Sequence, residues 1–322
     1  MARGRRRDLH ANRQADGDVS LVAFGLRSFS ALILRSRVGG VSKDVSKRAG
    51  ASFETQALLA PQDKGCVAKT GIALILALSV VVVPAGSALS EIKSGSEFLS
   101  PELRRQQADE TRNPAFFWVE QGRELFSRRP APDAQACIAC HVDPQQKLRG
   151  AATRYPQVDA ATGKLLNLEG RIEQCRVERQ KQPAFGYESP ELLSMTAYLA
   201  SLSRGLPMQV KTDGAANPFF EAGRAFFERR QGQLNLSCQQ CHDGLVGQKL
   251  RGDTISHGAG TGYPAYRLEW NDVGSLHRRL RACSLGVRAT QFDYGSAEYL
   301  ALELYLAGRA KGLPVETPGL RR

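Results

Sequence analysis

The sequence predicts an all-α fold of two tandem domains related by internal duplication. Three observations predict it. Residues 113–208 lie over residues 217–315 with an offset that stays between 101 and 108 positions. Each copy carries a Cys-x-x-Cys-His motif, at Cys137/Cys140/His141 and Cys238/Cys241/His242. Apolar residues recur at helical spacing at both ends of each copy, and the segments between are rich in Gly and turn residues.

The matched residues run through both copies. Gly122-Arg123 corresponds to Gly223-Arg224, Lys147-Leu-Arg-Gly150 to Lys249-Leu-Arg-Gly252, and Tyr155-Pro156 to Tyr263-Pro264. Arg171 and Cys175 correspond to Arg279 and Cys283, and Gly205-Leu-Pro207 to Gly312-Leu-Pro314. Each copy is expected to open with an aromatic-rich helix, from Phe116 to Arg128 and from Phe219 to Arg229. Each should close with an amphipathic one. Ser189-Pro190 supplies a cap and a first-turn proline, followed by Leu192, Met195, Leu199 and Leu202 at core-facing spacing. Ser296 opens the second such helix, with Tyr299, Leu302 and Leu306 on one face. Residues 251–262 read as a loop without strand alternation. These patterns place a first domain at 91–208 and a second at 209–322.

The chain has 322 residues, of which 42% are hydrophobic, so a globular protein is expected. Its formal net charge of +12 does not indicate nucleic acid as a partner. Residues 1–90 hold 13 Lys+Arg against 6 Asp+Glu, leaving 31 against 26 in the remainder. An apolar run from Thr70 to Val83 follows Lys69 and precedes the small residues of 84–90, the three-part form of a secretory signal. Residues 67–90 therefore read as a signal peptide cleaved near Ala88 or Ser90, which implies export to the periplasm. Residues 1–66 read as a non-native extension from a start codon assigned too far upstream, with Val67 as the initiator and Cys66 without a role. Arg5-Arg6-Arg7 lies too far from the apolar run to serve as a twin-arginine signal.

Seven cysteines in an exported chain first suggest disulfides. The spacing indicates haem instead. In Cys-x-x-Cys-His two thiols add across the haem vinyl groups while the adjacent His reaches the iron from the same side. Two motifs in register within a repeat imply two covalent haem c groups, held by Cys137 and Cys140 and by Cys238 and Cys241. His141 and His242 are the first axial ligands. Each half is then a small cytochrome c-like domain whose modest core is completed by haem.

The second axial ligand sets potential and reactivity. Met195 and Met208 compete with Cys175 in the first half, where Met195 fits a core position. No Met follows Met208, so His257, His277 and Cys283 compete in the second. The repeat favours Cys175 and Cys283, each four residues after an Arg, over a disulfide between them. Cys283 stands among His277, Arg278, Arg279, Arg281 and Arg288, a run of cationic positions suited to a reactive thiol and a dianion. One helix turn does not point all of them at one pocket, and Arg279 has the best claim through its fixed spacing to Cys283.

These residues resemble the SoxA family, the dihaem subunits of SoxAX cytochromes in bacterial thiosulfate oxidation. The likeness spans about residues 95–320 and rests on the two haem motifs, the Lys-Leu-Arg-Gly and Tyr-Pro pairs, Cys175, and Arg279-Leu-Arg-Ala-Cys283 with the residues through Ala289. The resemblance implies an L-cysteine S-thiosulfotransferase that joins thiosulfate to a carrier cysteine of SoxY in SoxYZ. It further implies that Cys283 is a haem ligand and a cysteine persulfide, and that Arg279 holds substrate. A SoxX-like monohaem cytochrome is the implied partner, with a soluble cytochrome c as electron acceptor. Two other readings remain at this stage: a thiosulfate dehydrogenase forming tetrathionate, and a dihaem electron carrier without chemistry of its own.

Overall fold

Each repeat is framed by a first and a last helix, and the last begins where the sequence offers a serine cap. The computed structural model describes residues 91–322, so the expected signal segment and everything before it lie outside the described residues. A leading helix, α1 (Pro101–Ala108), precedes the first repeat, which contains α2 (Phe116–Ser127), α3 (Cys137–Cys140), α4 (Pro144–Lys147), β1 (Gln157–Val158), β2 (Leu165–Leu166), α5 (Leu168–Glu178) and α6 (Pro190–Ser201). The second repeat contains α7 (Asn217–Glu228), α8 (Cys238–His242), β3 (Lys249–Leu250), β4 (Asp253–Thr254), β5 (Ala265–Arg267), β6 (Asp272–Gly274), α9 (Leu276–Gly286), α10 (Ala297–Arg309) and β7 (Gly319–Arg321).

The caps recur at matched positions. Ser189 accepts from the Leu192 amide at 3.1 Å and Ser296 from the Tyr299 amide at 3.3 Å, opening α6 and α10. Asn167 accepts from Gly170 at 2.9 Å and Ser275 from Arg278 at 3.1 Å, opening α5 and α9. A side-chain acceptor here satisfies an amide that has no partner inside the helix.

In each repeat the first helix crosses the last at close range, and glycine permits it. A methyl group at Gly122 would collide with the Ser194 carbonyl of α6, and one at Gly223 with the Ala301 carbonyl of α10. Around the first crossing lie Val119, Phe126, Ile172, Leu192, Met195 and Leu199. Phe226, Phe227, Tyr299, Leu302 and Leu306 form the second. Met195, only 3% exposed, takes the core place its helical spacing predicts.

A third core lies between the repeats, where Leu165, Met208 and Val210 meet Leu304, Ala307, Ala310 and Val315. The two Gly-Leu-Pro motifs bind one another there. Gly205 donates its amide to the Val315 carbonyl at 2.9 Å, and Gly312, its counterpart, donates to Met208 at 3.0 Å. Met208 donates to Leu313 and Val315 to Leu206, both at 2.9 Å. The bonds form two matched pairs, because Met208 and Val315 are repeat equivalents, as are Leu206 and Leu313.

Short strands occur where loops were expected. β1 pairs with β2, and β3 with β4 across residues 249–254, while β5 pairs with β6 and, in parallel, with β7. Two or three residues are too few for an alternating pattern to register. The two Lys-Leu-Arg-Gly copies also differ: Lys147 ends α4, whereas Lys249-Leu250 forms β3. The segment ahead of the first repeat crosses to the second. Gln107 accepts from the Leu320 amide at 3.0 Å, Asn113 donates to the Pro318 carbonyl at 2.9 Å, and Glu316 accepts from Ser96 at 3.2 Å.

Candidate functional site

The second motif sits on α8, opened by a reciprocal cap. Ser237 accepts from the Gln240 amide at 3.3 Å while Gln240 accepts from the Ser237 amide at 2.9 Å. His242 then turns its ring so that Nδ1 lies 2.7 Å from the Ser256 carbonyl. A carbonyl only accepts, so Nδ1 carries the proton and Nε2 keeps the lone pair a metal requires. Gly258 backs the ring, and a Cβ there would stand 3.2 Å from it. Burial holds the His242 pKa below its ordinary value, favouring the neutral ligand form.

Cys283 and Arg279 lie one turn apart on α9, hence on one face. The sulfurs of α8 feel Cys283: burial first, then Cys283, pushes the Cys238 thiol up to about 12, and the same two causes raise Cys241. Cys238, Cys241 and Cys283 therefore share one space, and each is a free thiol. The pKa of half-buried Arg279 is raised above its ordinary value chiefly by the Cys283 sulfur.

The structure sorts the remaining cations near Cys283. Arg278 turns to Asp272 at 3.5 Å and Glu188 at 3.8 Å and lies over the Trp270 ring. Arg281 donates to the Phe292 carbonyl and lies over Tyr294, while Arg288 is exposed. His277 accepts from the Gly295 amide at Nδ1, 3.0 Å away, and places Nε2 3.0 Å from Glu303. His257 Nδ1 accepts from the Lys93 amide at 3.2 Å, beside the Phe98 ring. Among the described residues no carboxylate forms an ion pair with Arg279; Arg278 is drawn to carboxylates and Arg281 to a carbonyl, Arg288 is exposed, and half-buried Arg279 is left on the Cys283 face of α9.

The first repeat brings Cys137 and Cys140 on α3 toward Cys175 on α5. Burial, then Cys175, raises the Cys137 thiol, and burial likewise raises Cys175. His141 sits 6.1 Å from the Phe126 ring. Met195 lies in the first-repeat core and Met208 in the core between the repeats. Arg171 occupies the place of Arg279 but differs in its company. It is 3.4 Å from Asp159 Oδ1 and donates to Gln174 at 2.5 Å.

The donors fit haem c in kind. Each motif offers two free thiols on one short helix and an imidazole at its end, with another thiol on the repeat-matched helix. Leu245 and Leu250, which follow the second motif in the chain, are left uncovered at 47% and 59% exposure. This fold and donor set define a c-type cytochrome of tandem domains that holds haem covalently.

The comparisons narrow the class. A family model described as the SoxA/TsdA cytochrome c domain matches residues 121–208 and again 222–315. The L-cysteine S-thiosulfotransferase subunit SoxA of Rhodovulum sulfidophilum is 36% identical over 231 residues, covering 72% of this chain and 80% of that protein. The SoxA of Paracoccus pantotrophus is 32% identical over 275 residues, covering 85% and 93%. A crystal structure of SoxXA from P. pantotrophus aligns with a TM-score of 0.69 at 34% identity, over 72% of this chain and 87% of that one. The chain belongs to the SoxA family of L-cysteine S-thiosulfotransferase subunits, and its role lies in thiosulfate oxidation.

Sequence reasoning had not singled out Ser256, Gly258, Asp159 or Arg267. The last two had a signal: they are equivalent by the 108-residue offset of the Tyr-Pro pair, with opposite charge.

Proposed function

We propose that this chain is a periplasmic dihaem subunit that attaches thiosulfate oxidatively to the C-terminal cysteine of a SoxY-type carrier in a SoxYZ complex. The observation that carries this reading is Arg279, half-buried, without a carboxylate partner, and set against the Cys283 sulfur. The net reaction takes a carrier thiol and thiosulfate to a carrier cysteine S-thiosulfonate, one proton and two electrons. A sulfur–sulfur bond forms and both sulfur partners supply the electrons.

In this assignment Cys137 and Cys140 would hold one haem, with His141 and Cys175 as its iron ligands. Cys238 and Cys241 would hold the other, with His242 and Cys283. Bound haem supplies a one-electron acceptor beside the reacting sulfur. Arg279 receives the thiosulfate dianion and fixes it by charge-assisted hydrogen bonds to its oxygens. Cys283, carrying an additional sulfur as a persulfide, is the reacting thiol of the chain. Ser256 holds His242 in the tautomer that leaves Nε2 free. A SoxX-like monohaem subunit forms a heterodimer with the chain and passes electrons to a soluble cytochrome c, a reading supported by the likeness to the SoxXA structure. Residues 67–90 serve as the export signal, 91–208 as the first domain and 209–322 as the catalytic one.

Carrier-linked turnover of the holoprotein tests the assignment. Cys283→Ala should abolish it, and Cys175→Ala should leave most of it. Loss in Cys175→Ala with retention in Cys283→Ala places the active site in the other repeat. Release of tetrathionate from thiosulfate alone, with no need for carrier, replaces the transferase with a dehydrogenase.

A further inference from the structure

The duplication gives both repeats an arginine one turn before a haem-side cysteine, yet the two arginines meet different surroundings. Arg171 leaves α5 toward the end of β1, where Asp159 Oδ1 lies 3.4 Å away. Asp159 is itself held in place, accepting from the Thr162 hydroxyl at 2.7 Å and the Thr162 amide at 3.2 Å. Its carboxyl stays below the ordinary range, first through the Thr162 hydroxyl and with Arg171 as a smaller cause. These two residues and Tyr155, Gln157 and Leu166 line a cleft of about 270 Å³. The cleft has the space for a small anion without the net charge to hold one.

At the equivalent position in the second repeat, the end of β5, stands Arg267. It is 4% exposed, pairs with Asp253 at 3.2 Å and Glu269 at 3.7 Å, and lies over Trp270. Asp253 and Glu269 are the carboxylates whose fields reach Arg279. Arg267 engages both and leaves Arg279 unpaired. One position thus has opposite effects in the two copies: as Asp it cancels the local arginine, and as Arg it draws away the carboxylates that would cancel it.

We propose that the residue at this strand end, Asp159 in the first repeat and Arg267 in the second, decides which repeat has a dianion site, so that Asp159 silences Arg171 and Arg267 keeps Arg279 open. Asp159 is a specificity residue acting by charge cancellation, and Arg267 a positioning residue for the clamp. The inference rests on the reading of Arg279 as the thiosulfate clamp.

The test is equilibrium dialysis of labelled thiosulfate against the carrier-free holoprotein at fixed ionic strength. Wild type should bind at a single site that Arg279→Ala removes. Asp159→Asn keeps the acceptor for the Thr162 turn while removing the charge, and should add a second site that is lost again when Arg171→Ala is combined with it. Arg267→Gln should weaken the Arg279 site about tenfold, the range of one charge-assisted contact, with both haem spectra unchanged, and Arg267→Lys should restore it. Thermal unfolding and haem content establish that each variant is folded. No second site in Asp159→Asn, or two sites in wild type, overturns the inference alone. A wild type that binds no dianion overturns the clamp reading and the inference together. Unchanged affinity in a folded Arg267→Gln removes Arg267 from it.

Discussion

Asn167 Nδ2 donates to Glu303 Oε2 at 3.0 Å, tying the cap of α5 in the first repeat to the last helix of the second. Around this bond the repeats meet through polar groups. Tyr187 donates to Asn167 at 3.0 Å and stacks on His277, with ring centroids 5.9 Å apart and planes 2° from parallel. Glu169 and His277 are equivalent residues of α5 and α9, and Thr196 and Glu303 of α6 and α10. All but Glu303 are buried.

Stability should depend on pH through Glu169. Burial, with Glu303 and Glu188 adding, pushes its pKa up to about 8 from an ordinary 4.5. The folded chain keeps a proton there that the unfolded chain releases, so this contribution is full below about 4.5 and is lost as pH rises through about 8. Urea unfolding of the holoprotein should give a stability that falls by a few kcal/mol, order of magnitude, between about pH 5 and pH 9. Glu169→Gln should flatten that slope, and an unchanged slope removes Glu169 as its source.

Arg279→Ala should lower carrier-linked kcat/KM by about thirty- to a thousand-fold, corresponding to about 2–4 kcal/mol of transition-state stabilisation. Both haems should remain attached. Arg279→Lys keeps the charge without the planar fork and should recover only part of the loss. Full activity in Arg279→Lys would show that charge alone suffices.

The two helix crossings should tolerate no added methyl. Gly122→Ala and Gly223→Ala each force a helix away from a backbone carbonyl and should cost about 1–3 kcal/mol as an overpacked contact. Calorimetry of the holoprotein reads the loss. Gly163→Ala offers a contrast, since no atom stands within 4 Å of a Cβ there and only the positive φ of 68° is penalised.

Low-temperature spectra should separate the two iron sites. Cys175→Ala should alter the first haem only, and Cys283→Ala the second only, because each cysteine shares its space with one motif. A methionine–iron band in the wild type would instead assign Met195 or Met208.

Much of this was legible in the chain because duplication writes each signal twice. Ser189-Pro190 and Ser296 mark helix starts at matched positions, and the structure caps α6 and α10 there. Met195 reads as core from helical spacing alone. The sorting of charge around Cys283 was not legible, since Asp272, Glu188 and the Phe292 carbonyl reach Arg278 and Arg281 only through tertiary contacts. Nor was the crossing of residues 94–113 to the second repeat, which depends on hydrogen bonds made more than 200 positions away, such as that of Gln107 with Leu320.

The matched bonds between the Gly-Leu-Pro motifs have the form of an isologous contact, in which residue i meets j and j meets i as in a two-fold dimer. The chain thus encloses its own pseudo-dimer, with the seam as the subunit interface. Two identical subunits would be bound to carry the same residue at every equivalent place. Joined in one polypeptide, the copies were free to diverge, with Asp159 facing Arg267 in the alignment and Glu169 facing His277.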